Sequence, residues 1–328
     1  MTKNRFYALF PAAAAVLLLL ALLSLALGSV RLSPKDFLSL FSQNTSAAYR
    51  ILRFIRIPRT VGAILCGAAL ATSGLLIQSV LHNPLGSPNV LSMNSGAALA
   101  AVLSSAVFPA GIAVYPIAAF LGAFLSLLAV VFLGKKAGAS KHSIILAGVA
   151  MNAFLAAVTD AITVFIPNTV FSRNAFRIGS LSGIQLGAIA PAAALILISL
   201  ILSFLLQNRI EVLSLGDDAA SSLGLDVPKS RFSVLILSSL LCGSAISIAG
   251  TIGFLGLIVP HSCRMMLGGN EMKKLLPLTA LSGSILLLAC DTISRLGTHE
   301  IPSGIFLSAI GGPYFFFLLV KEHRENPS

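Results

Sequence analysis

The chain has 328 residues, of which 56% are hydrophobic and only 10% are charged. Soluble domains carry roughly 25% charged residues, so this composition excludes an ordinary soluble protein and indicates a chain that lies largely in a bilayer. The formal net charge of +11 predicts cationic loops that contact anionic lipid headgroups or acidic partners. No basic run is interleaved with aromatic residues, which argues against a nucleic-acid partner.

Stretches without Lys, Arg, Asp or Glu mark candidate transmembrane helices, each of which needs about 20 apolar residues. The first has too long an apolar run for a signal peptide and is interpreted as an uncleaved helix. The sequence predicts ten spans: 6–30, three within 60–134 divided at 82–84 and 109–116, then 142–167, 178–208, two within 232–263 divided near 250–253, 275–291 and 301–320. The predicted fold is therefore all-α and polytopic.

Ten spans place both termini on one side of the membrane. With the termini in the cytoplasm, thirteen Lys and Arg residues are cytoplasmic and nine are outside, in modest agreement with the positive-inside rule. The exception is the outer segment from Arg31 to Arg59, which has six cations and one acid, Asp36. Either the orientation is reversed or this segment has an external acidic partner.

An internal repeat relates the two halves of the chain. The tetrapeptide LCGA at 65–68 recurs as LCGS at 241–244, and at the same spacing Gly74 matches Gly250 and Pro84 matches Pro260. The two copies run in opposite directions in the predicted topology, which indicates an inverted-topology repeat. Close helix packing is expected at the small residues Gly62, Gly67, Ala71 and Gly74.

Motifs for covalent chemistry and for nucleotide binding are missing from the sequence. It has no G-x-x-x-x-G-K-[ST], HExxH or GxSxG motif, and its five histidines lack the spacing of a metal site. The four cysteines lie in or beside apolar segments without CxxC spacing, so we expect buried free thiols. We therefore predict no enzyme activity and no cofactor, and any ATP that drives the protein binds to another chain.

The longest predicted cytoplasmic loop spans residues 209–231. Gly216, Gly224 and Pro228 interrupt it, while Asp217 and Asp218 lie where the first turn of a short helix favours negative charge. Such a helix, parallel to the membrane, suits docking to a cytoplasmic protein. An ordinary solvated loop is the alternative.

A further set of motifs begins with residues 250–264, where three glycines, a proline and a His-x-x-Arg ending interrupt an apolar stretch. A helix break at membrane depth is tolerated only against protein or a cavity. This stretch resembles the FecCD family. The same resemblance is carried by the segments 56–59, 73–78, 83–88, 95–97, 146–149, 215–217, 291–295, 300–304 and 311–316. Those proteins are permeases of type II ABC importers for iron-siderophores, haem and cobalamin, and the resemblance covers roughly residues 50–320.

The resemblance implies a vitamin-B12-permease-like fold of ten helices forming one permease domain, residues 1–328. It implies a bacterial cytoplasmic-membrane protein with cytoplasmic termini, paired with a second permease that is identical or different. It also implies two cytoplasmic ATPase subunits, an extracytoplasmic substrate-binding protein and a metal-chelate cargo.

The same resemblance assigns three groups of site residues. Residues that couple to the ATPase are Leu215, Gly216, Asp217, Asp218, Ala219, Ser222, Leu223 and Gly224. Residues that dock the binding protein are Arg56, Arg59 and Arg295. Residues near the inner gate are Asn83, Pro84, Leu85, His142 and Ser143.

Several residues have alternative interpretations. Asp291 and Arg295 are four apart on a helix and can form an ion pair, so Arg295 serves that pair, the docking surface or both. Arg56 and Arg59 can contact lipid phosphates instead of a protein. Asp160 lies within an apolar span and is the proton carrier in the runner-up function, a secondary transporter driven by an ion gradient. A signalling or structural membrane protein is the third class, which predicts no cargo movement.

Overall fold

The computed structural model describes residues 2–28, 46–108, 114–138, 141–169, 176–297 and 300–325, and every extended regular element in these ranges is helical. The first half contains α1 (Thr2–Ala26), α2 (Ala47–Ile51) continued by a π-helical turn (Leu52–Arg56), α3 (Ile57–Leu81), α4 (Met93–Val107), α5 (Val114–Lys136) and α6 (Lys141–Phe165). The second half contains α7 (Leu186–Leu205), α8 (Gln207–Leu213), α9 (Asp217–Ser222), α10 (Val227–Ala249), α11 (Leu255–Leu267), α12 (Met272–Ser294) and α13 (Ser303–Glu325). Arg31, Lys35, Asp36, Arg173 and His299 lie outside the described residues.

The helices agree with a polytopic membrane protein. Within the described ranges, six spans are long and apolar enough to cross a membrane, or seven if the α7–α8 pair, bent by 64°, counts as one. Two shorter apolar helices, α4 and α11, lie where further spans were expected. The all-α polytopic class is confirmed, while the count of ten spans stays a prediction.

Two details of the predicted spans are wrong. The break lies near 250–253 as predicted, where Gly250, whose φ of +70° suits a residue without a Cβ, caps α10; Pro260 does not contribute to it, because it lies inside α11. The span predicted at 178–208 begins only at Leu186 and turns sharply after Leu205, since the chain there enters the short helix α8.

Helix α3 lies at the centre of the bundle, where small residues bring backbones together. A Cβ on Gly67 would lie 2.4 Å from the carbonyl oxygen of Gly283 on α12, and one on Gly74 would lie 1.9 Å from that of Gly256 on α11. Gly62 meets only side chains, at ordinary distances of 3.4 Å or more. Close packing is therefore confirmed at Gly67 and Gly74, which have no room for a side chain.

This packing predicts a stability difference between two Gly→Ala substitutions. Gly74→Ala should lower the free energy of unfolding by about 1–3 kcal/mol, because its methyl group would displace backbone. Gly187→Ala on α7 is the matched control, since a Cβ there meets no atom within 4 Å and alanine favours helix. Thermal unfolding in detergent, followed by circular dichroism, measures both. Equal stability of the two variants would contradict the packing argument.

Helices α3 and α10, which carry the repeated tetrapeptides, run antiparallel. Cys66 Sγ lies 3.6 Å from the carbonyl oxygen of Ala245, and Ser73 Oγ lies 2.7 Å from Ser238 Oγ, so one helix ascends as the other descends. This direction agrees with an inverted repeat of these two helices, and the repeat of the whole halves stays a prediction. All four cysteines are buried free thiols, as predicted.

Candidate functional site

The arginine end of the bundle is the place where α1 ends, α3 begins and α12 ends. Arg59 Nε donates to both carboxylate oxygens of Asp291, at 2.9 and 3.1 Å, and Arg295 Nη2 lies 3.2 Å from Asp291 Oδ2. Asp291 is 0% exposed and each of these arginines is 3% exposed. The predicted Asp291–Arg295 pair is thus confirmed, and it forms part of a buried triad with Arg59.

Polar side chains extend this triad toward the surface and toward α1. Arg59 Nη1 donates to the half-exposed carboxylate of Glu300 at 2.8 Å. Arg295 Nη2 donates to Ser24 Oγ at 2.6 Å, and that hydroxyl lies 2.8 Å from Thr60 Oγ1. The network therefore joins three helices and the loop before α13 through a few charge-assisted hydrogen bonds.

Arg56 is the third arginine predicted to dock a binding protein. Its side chain is 3% exposed and donates to the backbone carbonyl of Leu25, near the end of α1. The structure therefore brings Arg56, Arg59 and Arg295 together at one end, but it buries all three in this conformation. Their docking role stays a prediction, and it requires that these side chains become accessible.

The coupling segment, residues 207–231, lies at the opposite end of the bundle, at the start of α12. Glu211 on α8 accepts a hydrogen bond from the backbone N–H of Met272 at 3.2 Å. Leu213 and Ala220 are buried at 1% and 0% exposure and anchor the segment, whereas Leu215 and Leu223 are 62% and 65% exposed. The segment thus presents two large apolar side chains while its other face is packed.

Local chemistry explains why α9 forms. Asp217 and Asp218 occupy its first turn, where their negative charges interact favourably with the helix dipole and stabilise the helix. Gly216 precedes this turn with a φ of +113°. The helix ends in a Schellman motif, in which Leu225 N–H donates to Ala220 O and Gly224 N–H donates to Ser221 O. The predicted short helix with acidic residues in its first turn is confirmed, with α8 as an additional helix before it.

The coupling segment is tied to the membrane helix that follows it. Arg231 Nη2 on α10 lies 2.6 Å from Asp217 Oδ2, and Asp226 caps α10 through the backbone N–H of Lys229. Hydrogen bonds from the Lys229 side chain and backbone lower the pKa of the Asp226 carboxyl below its ordinary value. A displacement of α9 would therefore pull on α10 through the Arg231–Asp217 pair.

A cavity of about 280 Å³, which we name the gate cavity, lies at the same end as the coupling segment. Its lining includes Asn83, Pro84, His261, Arg264 and, from the coupling segment, Ser214. The loop that carries Asn83 begins after His82 in a left-handed conformation, and Asn83 Oδ1 accepts from Leu85 N–H at 2.8 Å. Two of the predicted gate residues thus adjoin the coupling segment.

The other predicted gate residues lie away from this lining. Leu85 is 38% exposed, His142 is exposed at the start of α6, and Ser143 Oγ donates to the carbonyl of Ala137 at 2.8 Å. Of the five predicted residues, Asn83 and Pro84 line the gate cavity, and the gate role of all five stays a prediction.

A second cavity, of about 340 Å³, surrounds the break between α10 and α11 and is named the break cavity. The backbone of the break is hydrogen-bonded to the segment before α7: Thr251 N–H donates to Phe176 O, and Ser180 N–H donates to Ala249 O. The sequence prediction that this break faces protein or a cavity is thus confirmed on both counts. Phe254, with a φ of +64°, caps α11 in a conformation that is strained for an aromatic residue.

Some functional candidates were missed by the sequence analysis. Gln78 lines the gate cavity, and its amide donates to Gly256 O at 3.1 Å and accepts from Arg264 Nη1 at 2.5 Å. Arg177 and Asn94 line the break cavity, though neither stands in a recognisable motif. An acidic residue within a membrane span is a functional candidate by default. Asp291 met this criterion as clearly as Asp160 and could have been found in the same way.

Comparison with known proteins agrees with this geometry. The model of the FecCD transport family matches residues 16–321. The chain belongs to the FecCD transport family. Among its relatives is the Fe(3+)-citrate import system permease protein of Bacillus subtilis, 34% identical over 316 residues that make up 95% of each chain. The hemin transport system permease protein of Yersinia pestis is 35% identical, over 94% of this chain and 96% of the relative.

A solved structure shares the family fold. It is described as an inward-facing conformation of a metal-chelate type ABC transporter, and it superposes with a TM-score of 0.85 at 27% identity, covering 95% of this chain and 98% of that one. Family membership makes this protein a transport permease, not an enzyme, and places ATP hydrolysis on a separate chain.

Proposed function

We propose that this protein is the transmembrane subunit of an ABC importer that moves an iron-siderophore or a related metal chelate across the bacterial cytoplasmic membrane. The observation that carries the proposal is the coupling segment. Its exposed Leu215 and Leu223 stand on a packed base beside the gate cavity, as an interface for a second protein requires. Relatives named for import of ferric citrate and hemin support the metal-chelate cargo.

The proposed assembly contains two permease copies, two cytoplasmic ATPase subunits and an extracytoplasmic binding protein. The coupling segment contacts the ATPase, so that end of the bundle is cytoplasmic and both termini are cytoplasmic too. The arginine end then faces the binding protein. Arg56, Arg59 and Arg295 contribute to that surface when its helices separate, because in the described conformation their guanidinium groups bond to groups of the same chain.

Coupling in this proposal is mechanical. ATP binding and hydrolysis shift the ATPase, the ATPase shifts α9, and the Arg231–Asp217 pair transmits the displacement to α10. Helix α10 leads into the break and its cavity, so the displacement alters access to the cargo path.

Reconstitution tests the proposal. The permease is placed in liposomes with its ATPase and binding protein, and uptake of radiolabelled ferric chelates is measured with ATP, without ATP, and with a proton gradient alone. We expect uptake only with ATP and the ATPase. Uptake at full rate under a proton gradient without ATP would contradict the proposal and favour a secondary transporter that uses Asp160.

A further inference from the structure

The break cavity is bounded by residues that are far apart in the sequence. Its polar lining comes from the loop after α3 (Ser87, Asn89), from Asn94 on α4, from Arg177 before α7 and from Thr251 in the break. No carboxylate is among the described residues that line it. A cavity of about 340 Å³ falls within the range of roughly 300–1,000 Å³ that is typical of small-molecule sites.

Among the described residues, Arg177 is the one charged residue that lines this cavity. In the part of the chain that the structure describes, the Arg177 guanidinium makes no ion pair, and the residue is exposed. Glu300, an acid of the adjoining outer loop, is bonded to Arg59 and Ser182. Arg177 is thus left available to a ligand.

The N-terminus of α11 adds to this positive potential. Residues 251–254, 256 and 257 line the cavity, and α11 begins at Leu255, so the partial positive charge of its dipole, about half an elementary charge, lies at the cavity wall. The strained Phe254 holds this end in place, because its ring packs against Gly311 of α13, where a Cβ would lie 2.4 Å from the ring. Such strain, retained by packing, often marks a functional position.

The gate cavity, at the other end of α11, has the same character. Arg264, His82 and His261 line it, and none of the residues that the structure places in its lining is a carboxylate. Glu211 lies near its edge, where it accepts from the Met272 backbone. Gln78 lines this cavity and bonds to Gly256 near the start of α11 and to Arg264 near its end.

We infer that the break cavity binds the cargo and that this cargo is an anionic metal chelate, one with net negative charge from carboxylate or phenolate groups. The inference rests on the proposed function and narrows its substrate class. A neutral chelate would gain nothing from Arg177 and the α11 dipole, and a cationic chelate would be repelled by both cavities. The anion is held at the break, where Arg177 and the first turn of α11 line the cavity.

Gly253 provides a matched pair of variants for the test. A Cβ at Gly253 meets no atom within 4 Å, although the residue lines the break cavity, so aspartate and asparagine both fit there. The two side chains have nearly the same shape and differ in charge. The ratio of their uptake rates therefore measures the effect of charge. The asparagine variant is the control for the cavity volume that either side chain fills.

The experiment uses the full importer in liposomes with two radiolabelled probes, ferric citrate, which is anionic, and the ferric complex of desferrioxamine, which is cationic. Wild type should take up ferric citrate in preference. Ferric citrate uptake below saturation should be at least about tenfold slower in Gly253→Asp than in Gly253→Asn, as expected for one unit charge at roughly 10 Å with an effective dielectric constant near 20. Lys136→Gln, which removes an exposed cation outside both cavities, should match wild type.

Equal uptake by the aspartate and asparagine variants, or a wild-type preference for the cationic complex, would overturn the inference. If the asparagine variant is itself inactive, Arg177→Gln against Arg177→Lys makes the same comparison, with loss of uptake expected only for glutamine. ATP-dependent uptake of the cationic complex would leave the proposed function standing. Failure to take up either chelate with ATP would overturn the proposed function as well.

Discussion

Replacing Asp291 by asparagine should lower the free energy of unfolding by about 3–5 kcal/mol, because it removes the carboxylate that pairs with the buried Arg295 and leaves Arg59 with only the half-exposed Glu300. Asp291 is fully buried and is the carboxylate that Arg59 and Arg295 share. The amide keeps the shape of the side chain, so the loss measures charge rather than packing.

Thiol reactivity gives a direct measurement of this effect. The chain has no tryptophan for a fluorescence signal, but its four buried cysteines become reactive when it unfolds, so a maleimide dye reports the midpoint in detergent. Glu300→Gln is the control, since this half-exposed acid should contribute about 1 kcal/mol or less. An Asp291→Asn variant as stable as Glu300→Gln would show that the triad does not stabilise the fold.

A double substitution tests the reasoning further. Adding Arg295→Gln to Asp291→Asn should recover part of the lost stability, because it removes the buried Arg295 charge that Asp291→Asn leaves without a counter-ion. The loss of stability caused by Arg295→Gln alone is the reference. If the double variant is less stable than Asp291→Asn by this same amount, the two residues do not act as a pair.

Replacing Leu223 by arginine should reduce ATP-driven uptake at least about tenfold while leaving membrane insertion and stability unchanged. Leu223 is 65% exposed in the chain, so the charge costs nothing within the permease itself. In a packed groove of the ATPase the same charge would be desolvated without a partner, and central apolar contacts of this kind are often worth about 2 kcal/mol or more.

The measurements are chelate uptake and stimulation of the ATPase by the permease, in liposomes. Leu223→Met is the matched control, because it keeps an apolar side chain of similar size and should retain both activities. Leu215→Arg should behave like Leu223→Arg, since Leu215 is 62% exposed on the same segment. Normal uptake and normal ATPase stimulation in Leu223→Arg would eliminate the docking role of this helix.

Several parts of the structure follow from local sequence alone. The low charge and long apolar runs determined an all-helical membrane protein, since a bilayer requires internally hydrogen-bonded backbone. The two acidic residues at 217 and 218 and the glycines around them determined α9, because dipole and capping interactions act within a single turn. The glycines at 250–253 likewise predicted the break, although not that Pro260 continues as part of α11.

Other features were decided by tertiary structure. Arg59 and Asp291 are 232 residues apart, and no local pattern relates them; only the packing of α3 against α12 brings them together. The arginines were therefore expected to be exposed on an outer face, whereas the structure buries them between helices. The sequence also could not predict that Arg177 lies beside the start of α11. A cavity depends on how distant segments pack together and not on the residues within one of them.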